Sequence, residues 1–254
     1  MKNFLSIDQG TTSSRSIIFD AYLNLVTDAQ EEYDLTYPED GWVELEPKKI
    51  IETVTNTLNK VVSVDLGIEA CGITNQRETT IVWSKSTGEA IYPGIVWQDR
   101  RTHEYCSYLK SNGHEPVIKE KTGLLLDPYF SATKIKWILD NVDGAREKAS
   151  KGELLFGTVD SYLIYMLSKE KNHFTDVTNA SRTLLFNIKS MEWDDELLEL
   201  FEIPKTMMPE VLSCDGDFGN LKINDCEIPI RGVIGDQQAA LVGQGCFNNG
   251  DMKS

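Results

Sequence analysis

The stretch Phe4-Leu5-Ser6-Ile7-Asp8-Gln9-Gly10-Thr11-Thr12-Ser13-Ser14-Arg15-Ser16-Ile17-Ile18-Phe19 decides the fold. Two short apolar runs, residues 4–7 and 15–19, flank a polar segment with one glycine. That pattern predicts a β-hairpin whose turn, residues 8–14, is longer than the common types. The first strand delivers Asp8 to the turn, and Gly10, Thr11, Thr12 and Ser13 follow. Such a turn can aim backbone N–H groups and hydroxyls at one anion, as a polyphosphate requires. Asp8 at the strand end could hold a hydrated magnesium ion, which takes one or two carboxylates and keeps several waters. Arg15 adds a cation nearby. The plain alternative is a polar hairpin, because Gly, Thr and Ser are ordinary turn residues.

Outward from the hairpin, residues 25–35 suit a third strand. Pro47 opens a helix with Ile50, Ile51, Val54, Leu58, Val61 and Val62 at helical spacing. Residues 68–74 read as a buried strand that ends in Asn75-Gln76-Arg77-Glu78. Residues 79–83 and 90–97 read as a further strand pair turning at Thr87-Gly88. Helices are expected at 101–110, 133–141, 161–167 and 194–201. A strand at 230–234 runs into Asp236, with a helix from Gln237 to Val242. Strands alternating with helices give an α/β class with a mixed sheet.

Composition narrows the functional classes. The 254 residues carry 25 Lys+Arg against 40 Asp+Glu, a net charge of −15, with 41% apolar and 26% charged residues. Those are globular proportions. The acidity argues against nucleic acid or an anionic membrane as partner, since both need clustered cations. The longest stretch without a charge, residues 237–250, holds three Gly and two Asn and is too short to span a bilayer. The N-terminus has no signal-peptide pattern, so a cytoplasmic location is expected. Five scattered cysteines without C-x-x-C spacing fit reduced thiols. There is no P-loop motif. Asp217-Phe218-Gly219 lacks a preceding H-R-D loop, and Gly243-Gln244-Gly245 is a near miss to the dinucleotide pattern.

Two further blocks carry chemistry. Arg77 and Glu78, just past a buried strand, offer donors and an acceptor to neighbouring hydroxyls, because strand ends of open α/β sheets line crevices; the alternative is a surface ion pair. Asp236 could orient and deprotonate an attacking hydroxyl, or it could merely cap the helix that follows. Trp97 and Tyr129 stand beside polar neighbours. An indole can cover the carbon edge of a polyol and a phenol can bond its hydroxyl, although either ring could equally be core.

In this order the pieces resemble one family, the FGGY carbohydrate kinases. The matching blocks are Asp8-Gln9-Gly10-Thr11-Thr12-Ser13-Ser14-Arg15, Ile73-Thr74-Asn75-Gln76-Arg77-Glu78-Thr79, Val96-Trp97-Gln98-Asp99-Arg100-Arg101-Thr102, Asp127-Pro128-Tyr129-Phe130-Ser131-Ala132-Thr133-Lys134, Gly157-Thr158-Val159-Asp160, Thr178-Asn179-Ala180-Ser181-Arg182-Thr183 and Gly235-Asp236-Gln237-Gln238-Ala239-Ala240-Leu241. The N-Q-R-E and G-D-Q-Q blocks resemble the members that phosphorylate glycerol. The resemblance implies an actin-like, ribonuclease-H-type domain with a mixed five-stranded sheet, flanking helices and insertions. It also implies a second such domain, with ATP (or ADP) in the cleft between the two. By similarity Asp8 binds the Mg2+-bound phosphates, while Thr11, Thr12, Ser13 and Arg15 contact the nucleotide phosphates. Arg77, Glu78, Tyr129 and Asp236 grip glycerol with Gln237 beside them, Trp97 covers its carbon edge, and Asp236 is the base at the 3-hydroxyl, giving sn-glycerol 3-phosphate.

The family chain is roughly twice this long. The expectation is therefore an N-terminal domain over residues 1–247, a connection beginning at 248–254, and no activity without the C-terminal domain. Homo-oligomer formation stays open. So do two other functions, a kinase for a different polyol or sugar and a non-catalytic actin- or chaperone-like nucleotide-binding module.

Overall fold

Alternation builds the first strand. In β1 (Asn3–Gln9) residues 3, 5, 7 and 9 are buried and the rest face outward. The computed structural model describes residues 2–253. β1 pairs antiparallel with β2 (Ser13–Asp20), and β2 with β3 (Leu25–Glu32). Pairing runs through Asp8↔Arg15 and Gln9↔Ser14, so the hairpin loop is only Gly10-Thr11-Thr12, closed by Gly10 N–H donating to Ser13 C=O at 2.9 Å. The seven-residue turn expected from composition is shorter because backbone pairing continues where the apolar signal stops.

The chain then forms β4 (Glu44–Leu45), α1 (Pro47–Val61), β5 (Ile68–Asn75), β6 (Ile81–Ser84) and β7 (Gly94–Ile95). It continues with α2 (His103–Ser111), α3 (Glu115–Thr122), α4 (Ser131–Asn141), α5 (Ala145–Ser150), β8 (Leu154–Gly157), α6 (Val159–Leu167), β9 (Phe174–Asp176) and α7 (Val177–Ala180). The last part holds β10 (Phe186–Asn187), β11 (Glu192–Trp193), α8 (Asp195–Leu200), β12 (Glu210–Leu212), β13 (Asn220–Ile223), β14 (Cys226–Gly235) and α9 (Asp236–Gly243). The main sheet has the order β13-β14-β5-β1-β2-β3, with β1, β5 and β14 mutually parallel. This is the expected five-stranded mixed sheet, extended at one edge by β13, which hairpins onto β14.

Two apolar clusters stabilise the chain. One gathers β1, β5 and β14 against α1 and α6, through Ile7, Ile73, Val233, Val54, Leu58 and Leu163. α1 starts as expected, with Pro47 in its first turn and Glu46 accepting from Lys48 N–H. On its buried face Thr53 and Thr57 meet Ser14 and Ser16 of β2 through hydroxyl pairs at 2.8 Å. The second cluster joins α2, α4, α5 and α8 around Ile135, Ile138, Phe156 and Phe201. The ribbon of β6 and β8 bridges the two. Trp83 and Leu155 face the first cluster, and Val82, Leu154 and Phe156 face the second, as a period of two requires. The strand pair expected at 79–83 and 90–97 does form, antiparallel, through bridges at Thr80↔Ile95 and Trp83↔Ala90, while the longer ladder of β6 comes from the distant β8, which the local pattern does not indicate.

Among the described residues all five cysteines are free, and no helix is long and apolar enough to cross a membrane.

Candidate active site

Register brings the site together. Gln9 of β1 stands opposite Asn75 of β5, and Asn75 stands opposite Gly235 of β14. Three parallel strands thus release their next residues at one edge: the hairpin loop, Gln76-Arg77-Glu78 and Asp236. The carboxyl ends of parallel strands are where open α/β sheets form crevices.

The hairpin loop is gripped from behind. Gly10 C=O accepts from the Tyr33 hydroxyl at 2.7 Å and from Gln76 Nε2 at 3.0 Å, and Gln9 Nε2 also reaches it. The main chain of the loop is therefore fixed, while Thr11 and Ser13 stay partly open and Thr12 is exposed. Asp8 sits beside them. Its carboxyl is held above the usual carboxylate range, chiefly by loss of water to the surrounding walls, then by the Asp236 charge, with Arg15 acting the other way. Arg15 itself turns outward and pairs with Asp28 of β3 at 2.8 Å.

The four residues after β5 diverge. Asn75 exchanges amide hydrogen bonds with Asn179 at 3.0 and 3.1 Å. Gln76 goes to Gly10, and Arg77 Nε donates to Asp236 Oδ1 at 3.2 Å. Glu78 adopts a left-handed φ of 61° and accepts from Arg182 Nε at 2.5 Å. Burial raises the Glu78 carboxyl above its ordinary range, while Arg182, Arg77 and Lys134 oppose that rise. A buried acid beside an arginine is the pattern expected of a ligand grip. Gly235 makes the Arg77 position available: a Cβ there would collide with the arginine stem.

Asp236 is the first residue of α9, and Gly235 is the cap residue, so the helix-capping reading of Asp236 is corrected. Its Oδ1 takes the Gln237 N–H at 2.7 Å as well as Arg77. Behind it, Gly235 N–H donates to Thr178 Oγ1 at 2.8 Å, and that hydroxyl donates to buried Asp176 at 2.5 Å. The base candidate is thereby tied to the loop that carries Arg182.

A cleft of about 140 Å3 is lined by Thr11, Arg77, Glu78, Trp97, Tyr129, Asp236 and Gln237. All six residues singled out for a polyol line it, joined by Thr11 of the hairpin. The Trp97 and Tyr129 rings lie 5.5 Å apart at 55°, and Trp97 Nε1 donates to Thr11 Oγ1 at 3.1 Å. Two acids, a guanidinium and an aromatic wall suit a small molecule with several hydroxyls. A larger groove of about 620 Å3 lies between α1 and Tyr162, and none of the candidate site residues read from the sequence lines it.

Thr12, Ser13, Arg15 and Asp8 do not line the cleft; they continue along the hairpin beside it. Among the described residues no group of three or more His, Cys, Asp or Glu could cage a metal. Asp8, a hard oxygen donor at the end of β1, fits a largely hydrated Mg2+, which needs only one or two carboxylates. Sequence reasoning missed the parts played by Tyr33, Lys134, Asp176 and Arg182. The last two stand in or beside the 178–183 block, and its place among the blocks that carry the family resemblance was the available signal.

Residues 3–243 match the model of the N-terminal domain of the FGGY family of carbohydrate kinases. The chain belongs to that family. It is 57% identical over its whole length to a glycerol kinase of Alteromonas mediterranea and 54% identical to one of Oceanobacillus iheyensis, covering 53% and 52% of them. The chain thus spans about half the length of the curated relatives it matches. A crystal structure of Plasmodium falciparum glycerol kinase with ADP superposes with a TM-score of 0.93 at 36% identity, over 98% of this chain and 51% of that one. A gluconate kinase of Lactobacillus acidophilus, 22% identical with a TM-score of 0.85, shares the fold. The actin-like, ribonuclease-H-type architecture expected from the resemblance is borne out for this FGGY domain.

Proposed function

We propose that this FGGY domain is the alcohol- and phosphate-binding half of an ATP-dependent kinase that converts glycerol to sn-glycerol 3-phosphate. The observation that carries the reading is the single cleft in which Arg77, Glu78, Trp97, Tyr129, Asp236 and Gln237 converge, with Asp8 close enough to feel the charge of Asp236. The high identity to glycerol kinases favours glycerol over the sugars of the more distant relatives.

In this reading Arg77, Glu78 and Tyr129 fix two hydroxyls, and Trp97 excludes water from the carbon edge. Asp236, oriented by Arg77 and by its own helix, accepts the proton of the third hydroxyl. The transition state of phosphoryl transfer is loose, so orientation of the attacking oxygen is the main contribution of such a base. Thr11, Thr12 and Ser13 hold the nucleotide phosphates, and Arg15 joins them by leaving Asp28. Asp8 would hold Mg2+ through its waters; when bound, the ion neutralises charge on the phosphate oxygens. Residues 1–247 form the domain, residues 248–254 lead toward a second one that closes the cleft, and the isolated half is inactive because positioning supplies most of the rate.

Isothermal titration of the 254-residue chain with glycerol, alongside a panel of polyols and sugars, tests the binding half of this claim. The expected result is a heat of binding for glycerol that Asp236→Asn weakens. In the full-length product of the gene, the same change lowers turnover by about 10²- to 10⁴-fold. Preference for another polyol, or full turnover by Asp236→Asn, would overturn it.

A further inference from the structure

Lys134 stands in α4 with no surface exposed to water. Its Nζ reaches two main-chain carbonyls, that of Tyr129 at 2.8 Å and, at a longer 3.5 Å, that of Glu78. Burial pushes the amine down to about 7, against the fields of Glu78, Asp99 and Asp127 and with that of Arg101. A lysine in such a place is costly, and an apolar side chain of similar length would serve packing better. What the ammonium does instead is specific. The two carbonyls belong to the two residues whose side chains line the cleft from this side.

The first turn of α4 reinforces the same point. Ser131, three residues before Lys134 and so on the same helix face, donates its hydroxyl to Glu78 C=O at 3.2 Å. Ala132 N–H donates to Thr183 C=O at 2.9 Å, next to Arg182, the guanidinium that holds the Glu78 carboxylate. Glu78 keeps a backbone conformation that non-glycine residues avoid, and such a conformation persists only where the surroundings over-determine it.

We infer that Lys134 is a positioning residue for the alcohol site: its buried head clamps the carbonyls of Tyr129 and Glu78 and thereby sets where the phenol and the carboxylate stand in the cleft. The inference rests on the glycerol reading of that cleft. Lys134 never touches the ligand, so its removal loosens ground state and transition state alike. That raises KM and leaves kcat nearly unchanged.

The test is steady-state kinetics on the full-length product of the gene, with calorimetric titration of the 254-residue chain in parallel. Lys134→Met is expected to raise the KM for glycerol about tenfold or more. It should leave kcat within about threefold and the KM for ATP unchanged, and melt no lower than the parent. Lys134→Gln, which keeps an N–H donor, recovers part of the affinity. A lowered melting temperature with an unchanged glycerol KM would mean a structural lysine and overturns the inference. Should Lys134→Met not fold, Ser131→Ala decides: about a threefold rise in glycerol KM supports the clamp, and an unchanged KM overturns it. A parent protein that neither binds nor phosphorylates glycerol refutes the glycerol reading itself, and the inference with it.

Discussion

Replacing Arg182 by Gln isolates the electrostatics of the cleft. Glu78 is 2% exposed and its carboxylate is paired with the Arg182 guanidinium, which is 25% exposed at the side chain. Removing one partner of a buried pair leaves an uncompensated charge and costs roughly 3–5 kcal/mol. Arg182 is partly solvated, and Arg77 still faces Glu78, so the low end applies, about 3 kcal/mol at neutral pH. For a chain of this length that is a fall in Tm of roughly 6–12 °C. The pH dependence has a definite sign. The folded-state pKa of Glu78 lies above its unfolded value, so the native state keeps a proton that the unfolded chain releases, and stability falls as pH rises through that window. Without Arg182 the folded value climbs further, and the fall is deeper and reaches higher pH. Circular-dichroism melts at about pH 5 and about pH 8 should show a small deficit at the lower pH and the full deficit at the higher. Glu78→Gln added to Arg182→Gln should restore more than half the loss at pH 8, because a neutral amide no longer needs the cation. A deficit equal at both pH values, or a double variant no better than the single one, would refute the reasoning.

Two further outcomes follow from packing and titration away from the cleft. A Cβ on Gly157 would collide with Ser161 and come within 2.8 Å of the buried Trp83 ring, so Gly157→Ala should cost about 2 kcal/mol and lower Tm by roughly 4–8 °C, read by the same melts. His173 donates its Nε2–H to Phe156 C=O at 2.7 Å, and burial pushes its pKa down to about 4. The unfolded chain takes up a proton near pH 6.5 that the native state refuses, so stability should drop by roughly 3 kcal/mol as pH falls from 6.5 to 4. His173→Gln should remove that limb of the denaturant-midpoint curve.

The local signals in the sequence carried as far as local physics reaches. The apolar spacing of Ile50, Val54, Leu58 and Val61 identified α1, and alternation through Leu5 and Ile7 identified β1, because both depend on which face meets the core. The hairpin loop was misjudged because Asp8 and Gln9 stay in the ladder on backbone hydrogen bonds, which leave no hydrophobic trace. The partner of β6 lies some seventy residues away in β8, and nothing in residues 81–84 names it. The same distinction runs through the site. Asp236 and Arg77 were legible as chemistry-bearing groups at strand ends. That Arg77 holds Asp236, or that Glu78 needs Arg182 and the buried Lys134, depends on pairs 56 to 159 residues apart.

The compactness of the Asn75-Gln76-Arg77-Glu78 block has a geometric cause. A strand can serve only two faces, since its side chains alternate. At Asn75 the chain leaves β5, still in register with Gln9 and Gly235, and by Glu78 it has turned into the left-handed region. Over those four residues the side chains sweep through directions that no regular element provides, so consecutive residues reach α7, the hairpin loop, Asp236 and Arg182 in turn. Gly235 completes the device by having no side chain where the Arg77 stem must pass. The groups that would grip an alcohol and the loop that would hold a phosphate are thus held by one short turn of backbone. A change anywhere in the block should therefore disturb alcohol affinity and phosphate placement together, whereas changes in the hairpin tip, at Thr12 or Ser13, should touch the phosphate side alone.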